Sequence, residues 1–185
     1  MIERPPAADV AAEAGRLWAE SQAVFKQRDY RQAAELMQAL LDRLGEDAAP
    51  PGAAILRLSL GITRLRLRET EAGVVQLQRA VELNPGNGRA HHKLGAGLAR
   101  LGRDREALAC FERAVVLSPD VAEYQWRLGE QLRRLGRAQD ASKAFSRCLE
   151  LHPGYAGAVK ALAQMRQDRR AGGWFGRLRR RLRLG

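Results

Sequence analysis

Three prolines, Pro85, Pro119 and Pro153, stand 34 residues apart, and the chain from residue 54 to residue 155 repeats on that interval. Leu60-Gly61, Leu94-Gly95 and Leu128-Gly129 keep the same spacing, as do Ala80, Ala114 and Cys148. Gly102 and Gly136 share one position, where the preceding unit has Arg68. Ala107 and Ala141 share another, with Gly73 before them, and Phe111 and Phe145 a third, with Leu77 before them. Three units follow: 54–87, 88–121 and 122–155. A unit this short cannot bury both faces of its own helices, so neighbouring units must stack to make a core.

The pattern inside each unit is helical. Leu94, Leu98 and Leu101 fall on one helical stripe, and Ala107, Phe111 and Ala114 on a second. Hydrophobic residues make up 45% of the chain but aromatic ones only 5%, so the core must rest on Ala, Leu and Val. Ala and Leu are strong helix formers, which favours an all-α fold. Pro119 ends a helix, because the residue before a proline avoids helical geometry. Asp104 is predicted to cap the second helix of its unit, and Asp120 with Glu123 has the form of a capping box.

This period and these residues resemble the tetratricopeptide repeat, a 34-residue helix–turn–helix unit. The resemblance covers residues 14–170. A divergent unit near 14–47 contains Arg28-Asp29-Tyr30-Arg31-Gln32-Ala33, similar to the family's turn into its second helix. It has Glu20-Ser21 in place of the Leu-Gly pair and Gly45 in place of the proline. The linker Glu46 to Gly52, with Pro50 and Pro51, is predicted to interrupt the helices. Residues 156–170 are predicted to form a capping helix. The expected architecture is an all-α helical-hairpin solenoid: an N-terminal segment 1–13, one divergent repeat, three regular repeats, a cap and a tail 171–185.

The resemblance also implies where a partner binds. First helices of stacked hairpins line a concave groove. Position by position, the second regular unit contributes Arg89, His92, Lys93 and Arg100. The third contributes Glu123, Trp126, Arg127, Glu130, Arg133 and Arg134, and the cap adds Lys160 and Gln164. The first contributes mainly Ile55, Leu58, Ile62, Leu65 and Arg66. One end of the groove is thus expected to be apolar and the other cationic around Trp126. A Trp beside arginines is a common interface anchor, which implies an acidic protein or peptide with an apolar anchor residue. The same residues also read as solvated helix faces with Trp126 packed on a neighbour. The family's chaperone-tail clamp does not fit: its places hold Leu58, Ile62, Lys93, Glu123 and Arg127, with two cations and no asparagine.

The formal charge is +11, and the tail carries five arginines and no acid. After Ala171-Gly172-Gly173, a helical wheel groups Trp174, Phe175, Leu178 and Leu182 opposite Arg177, Arg179, Arg180, Arg181 and Arg183. That is the pattern of an interfacial helix on an anionic membrane. Docking on a partner groove, a solubilising end and, least favoured, nucleic-acid binding remain alternatives. Cys110 and Cys148 read as reduced thiols. Adjacent His91 and His92 point apart on a helix and make a poor metal pair. No convergent catalytic set, metal motif or cofactor motif is present. No signal peptide or spanning segment is evident. The expectation is a non-catalytic scaffold, adaptor or assembly chaperone of a bacterial cytoplasm, peripheral on the inner membrane if the tail anchors it. The sequence leaves its oligomeric state open.

Overall fold

In a computed structural model of the chain, residues 7–44 and 51–168 are described, and the secondary structure within them is helical throughout. The chain forms two compact units, Met1–Arg103 and Asp104–Gly185. The first holds α1 (Ala7–Lys26), α2 (Tyr30–Leu44), α3 (Pro51–Arg66), α4 (Thr70–Leu83) and α5 (Gly88–Arg100). The second holds α6 (Asp104–Leu117), α7 (Ala122–Arg134), α8 (Ala138–Leu151) and a ninth helix, α9, over residues 156–168. The fold class is the all-α helical-hairpin solenoid of the tetratricopeptide repeats, with the divergent hairpin and the terminal helix both present.

In the first unit α1 pairs with α2, α2 with α3, α3 with α4, and α4 with α5. Met37, Leu40 and Leu41 of α2 close on Leu56 and Leu60 of α3, flanked by Leu17 and Trp18. In the second unit Leu132, Ala141, Ala144, Phe145, Cys148 and Ala158 form the core, and Leu162 and Met165 of α9 pack on it. The terminal helix therefore covers the apolar face that α7 and α8 leave open.

The close approach of paired helices explains the repeated Leu-Gly. A Cβ on Gly61 would stand 2.6 Å from Leu77 Cγ, and one on Gly129 would stand 2.6 Å from Phe145 Cε1. Each first helix presents a bare backbone to the large residue, Leu77 or Phe145, that the second helix buries against it.

Four local expectations are corrected. Asp104 is the first residue of α6 rather than its cap, and its side chain instead accepts from Gln131 Nε2 at 2.8 Å. The N-cap of α7 is Val121, with no side-chain bond, so Asp120 and Glu123 form no capping box. The effective side-chain caps are Asn87, whose Oδ1 accepts from Ala90 N–H at 3.1 Å, and Asp29, whose Oδ1 accepts from Gln32 N–H at 3.0 Å. Pro51 and Gly52 lie inside α3 rather than in a break. Proline fits a helix's first turn because the N–H it lacks has no intrahelical partner there. Helix α1 also starts at Ala7, upstream of residue 14.

Each hairpin turn carries one residue in the left-handed region. It is glycine in two cases, Gly102 (φ 74°) and Gly136 (φ 76°), and arginine in two, Arg28 (φ 67°) and Arg68 (φ 66°). That conformation costs a residue with a Cβ roughly 1 kcal/mol, partly offset by glycine's greater freedom when unfolded. Arg68→Gly is expected to stabilise the chain by about 0.5 kcal/mol, raising the thermal midpoint by about 1–2 °C. A midpoint that stays put or falls would show that the arginine is not strained.

Both cysteines are thiols rather than disulfide partners. Cys148 is fully buried, and burial pushes its thiol above the ordinary value of 9.0, opposed by a backbone hydrogen bond at Trp126. Cys110 is half-buried. A disulfide reagent at pH 8 is expected to modify Cys110 promptly and Cys148 only on unfolding. Because the raised group is the neutral acid, the stability it lends is present below pH 9 and is lost as pH climbs through the folded-state value. Equal reaction rates for the two thiols in the folded protein would overturn this reading.

Candidate functional site

On α7, at 100° per residue, Arg133, Trp126, Glu130, Glu123, Arg134 and Arg127 fall within an arc of about 120°. On α9, Gly157, Lys160, Ala161, Gln164, Met165 and Asp168 recur at three and four, forming one face. The two faces enclose a cleft of about 330 Å³ lined by those six residues together with Trp126, Glu130 and Arg133. Trp126 is its aromatic wall, half-buried and packed in part on the core of the second unit.

The indole is held from several sides. The Arg127 guanidinium lies over its ring at 4.2 Å from the centroid. The Tyr155 ring stands 5.5 Å away, tilted by 41°. Tyr155 immediately precedes α9, and its carbonyl accepts from the Ala158 and Val159 N–H groups at 3.0 and 3.1 Å. The ring's placement beside Trp126 thus follows from the start of the helix. Gly157 lets α9 approach, since a Cβ there would meet Trp126 Nε1 at 2.7 Å. Burial raises the Tyr155 phenol above its usual range, with Glu123 and Cys148 adding to the shift and Arg127 opposing it.

The surrounding charge is more balanced than the sequence implied. Glu130 holds Arg133 at 3.5 Å and Asp104 holds Arg134 at 3.0 Å. The cleft also admits the carboxylate of Asp168, which accepts from Gln164 at 3.0 Å. Arg127 differs: its Nε is buried and has no hydrogen-bond partner, and no ion pair reaches it among the described residues. What the site offers is an apolar slot beside an aromatic wall, with one guanidinium stacked on that wall.

The expected groove residues of α5 lie in the other unit. Arg89, Lys93 and Arg100 fall within a 40° arc, and Arg89 and Arg100 are exposed while Lys93 is half-buried. His92 does not belong with them and is corrected to a core residue, 2% exposed. It lies about 60° off the Arg89–Arg100 stripe, in an arc that α5 covers along with Gly88 and Gly95. The apolar end divides as well: Leu58 and Leu65 are buried, at 6% and 7%, whereas Ile55 is 52% exposed. Ile55 lines a smaller apolar cleft of about 200 Å³ with Ala14, Trp18 and Leu44.

The tail residues Trp174, Phe175, Arg177, Leu178, Arg179, Arg180, Arg181, Leu182 and Arg183 lie outside the described residues. Among the described residues, no group of three or more His, Cys, Asp or Glu is placed to hold a metal ion. No helix among them is long and apolar enough to cross a membrane. Residues of the cleft that the sequence did not single out are Gly157, Ala161, Met165 and Asp168. The i, i+4 and i, i+8 spacing of 157, 161 and 165 carried that signal, but only the docking of α9 on α7 gives it a meaning.

The tetratricopeptide-repeat family model matches residues 18–88, 58–120 and 92–156 in overlapping stretches. No curated protein matches the sequence. Among solved structures, YrrB, a TPR protein with an unusual peptide-binding site, superposes with a TM-score of 0.73 at 22% identity, over 83% of this chain and 76% of that one. MamA from Desulfovibrio magneticus RS-1 gives 0.68 at 20% identity, over 77% of each chain. The first TPR of Spaghetti (RPAP3), bound to the HSP90 peptide SRMEEVD, gives 0.62 at 19% identity, over 64% of this chain and 94% of that one. At these identities the likeness is one of fold. With the family model spanning most of the chain and the hairpins built as the repeat requires, this protein belongs to the tetratricopeptide-repeat family.

Proposed function

We propose that this chain is a non-catalytic scaffold or assembly adaptor that holds a segment of a partner protein in the cleft between α7 and α9. The observation that carries this reading is the Trp126 wall with its stacked Arg127, whose buried Nε is unpartnered. An apolar side chain of the partner enters beside Trp126, Ala161 and Met165, and a neighbouring carboxylate pairs with the Arg127 guanidinium at the edge of the aromatic wall. Desolvated aromatic and arginine side chains are where binding energy concentrates. The family supports the class of function, since YrrB has a peptide-binding site and the first TPR of Spaghetti (RPAP3) holds a peptide. A cytoplasmic setting belongs to the same proposal. The test is affinity capture with wild type, Trp126→Ala and Gln164→Trp, the last of which fills the cleft mouth from an exposed position. Capture retained by both variants would place the partner elsewhere.

The arginine-rich tail adds a second element, suggested by its pairing of Trp174, Phe175, Leu178 and Leu182 with five arginines. In this reading it anchors the scaffold on an anionic membrane surface. Each basic residue near such a surface contributes about 1 kcal/mol. Truncation to residues 1–170 is expected to abolish co-sedimentation with phosphatidylserine vesicles while leaving partner capture unchanged. Equal sedimentation of both forms would remove the tail as an anchor.

A further inference from the structure

The first unit contains a concave site of a different kind, apart from the Trp126 cleft. The end of α3, the α3–α4 turn, the start of α4 and the end of α5 enclose about 430 Å³, lined by Leu65, Arg66, Arg68, Thr70 and Arg100. Three of the five residues are arginines and none is acidic. Arg100 is fixed by donating from Nη1 to the Leu65 carbonyl at 2.9 Å, a bond that leaves its charge unneutralised. Arg66 and Arg68 make no ion pair among the described residues. Glu69 lies next to the site, but its carboxylate is engaged by Arg64 at 3.3 Å and does not line the cleft. Glu71 is exposed on the first turn of α4 and does not line it either.

The turn adds a second observation. Arg68 sits at φ 66°, in the position that Gly102 and Gly136 occupy in later hairpins. A strained residue held where glycine serves elsewhere points to a use for its side chain. Arg28 adopts the same conformation in the first hairpin, so strain alone would not mark a site. At Arg68 two further arginines and a hydroxyl share the concavity.

We propose that Arg66, Arg68 and Arg100 form a binding site for a phosphoryl group carried on a peptide side chain. Three adjacent guanidinium groups repel one another, and the repulsion is relieved by an anion of matching charge. A carboxylate brings one negative charge and a planar fork that suits one arginine. A phosphoryl group brings about −1.5 to −2 charges and three acceptor oxygens, enough for several donors at once. The Thr70 hydroxyl and the α4 N-terminus, whose N-cap Glu69 makes no side-chain capping bond, face the same anion favourably. A peptide side chain can enter the concavity, whereas a lipid headgroup would have to leave the plane of its bilayer. This site is independent of the Trp126 cleft, and either can fail without the other.

The experiment follows the arginine Nε–Hε resonances of the full chain by NMR. The probes are acetyl-Gly-phosphoSer-Gly-amide, its Ser and Glu counterparts, and vesicles carrying phosphatidic acid. The expected result is saturable shifts confined to Arg66, Arg68 and Arg100 with the phosphopeptide. The Glu peptide should bind at least ten-fold more weakly, and the Ser peptide should cause no shift. In the double variant Arg66→Ala/Arg68→Gly the remaining Arg100 resonance should no longer shift, while the helical circular dichroism is kept, because glycine suits the turn. Equal affinity for the Glu peptide would overturn the phosphoryl assignment in favour of a carboxylate. Shifts spread over every exposed arginine, or an Arg100 shift undiminished in the double variant, would overturn the site itself. Tighter binding to the vesicles than to the phosphopeptide would overturn the peptide as its source.

Discussion

Replacing Phe145 with alanine is expected to lower stability by about 3–5 kcal/mol, the usual cost of removing a fully buried aromatic side chain. Phe145 has no exposed surface, and its ring lies against the bare backbone of Gly129. In a chain of this size the thermal midpoint should fall by on the order of 10 °C. The geometry makes a sharper demand on a pair of variants. Gly129→Ala alone places a methyl 2.6 Å from the ring, so α7 and α8 must separate. Such overpacking costs about 1–3 kcal/mol, partly offset by roughly 1 kcal/mol of helix propensity. In the Phe145→Ala background the obstruction is gone and only the propensity gain remains. Gly129→Ala should therefore destabilise wild type and stabilise the Phe145→Ala variant, a reversal of sign that thermal denaturation can read. Simple additivity of the two changes would falsify the account of the repeated Leu-Gly given above.

Trp126→Ala is expected to weaken partner capture by at least about 30-fold, the loss of a 2 kcal/mol hot spot. Part of that loss is the wall of the cleft, and part is the support of Arg127, whose stacking is worth about 0.5–1 kcal/mol at an accessible site. Trp126 also packs on Tyr155 and the core, so some destabilisation accompanies the change. Gln164→Trp separates the two effects. Gln164 is exposed, lines the cleft from α9 and, among the described residues, its side chain bonds to Asp168 four residues on. It should block capture with the thermal midpoint unchanged. If Gln164→Trp captures as well as wild type while Trp126→Ala fails, the tryptophan is structural and the cleft is not where the partner sits.

Which residues share a helix face was legible, because helical periodicity fixes it. The family's groove positions put Arg89 with Arg100, and Trp126 with Glu130 and Arg133, each set on one helix face. Periodicity does not say how wide the covered arc of a helix is. His92 lies only about 60° from the stripe, yet it is buried. Nor does spacing show neutralisation. Glu130 and Asp104 come within ion-pair distance of Arg133 and Arg134, and this removes most of the positive character expected around Trp126. The sequence neighbours of Asp104 alone suggest a helix cap. Gln131, 27 residues away, claims its side chain instead.

The 34-residue rhythm by itself determined the three regular helical hairpins and the need for small residues such as Gly95 and Ala107 where their helices meet, since both follow from the period of an α-helix and the volume of a side chain. The tertiary structure alone decided what the surfaces present. It brought α9 against α7 to make a slot from residues 24 or more positions apart, and it gathered Arg66, Arg68 and Arg100 around one concavity. The physical reason is that burial and side-chain volume act locally along a helix and repeat with it. The charge and shape of a cleft depend instead on which distant side chains meet across two packed helices.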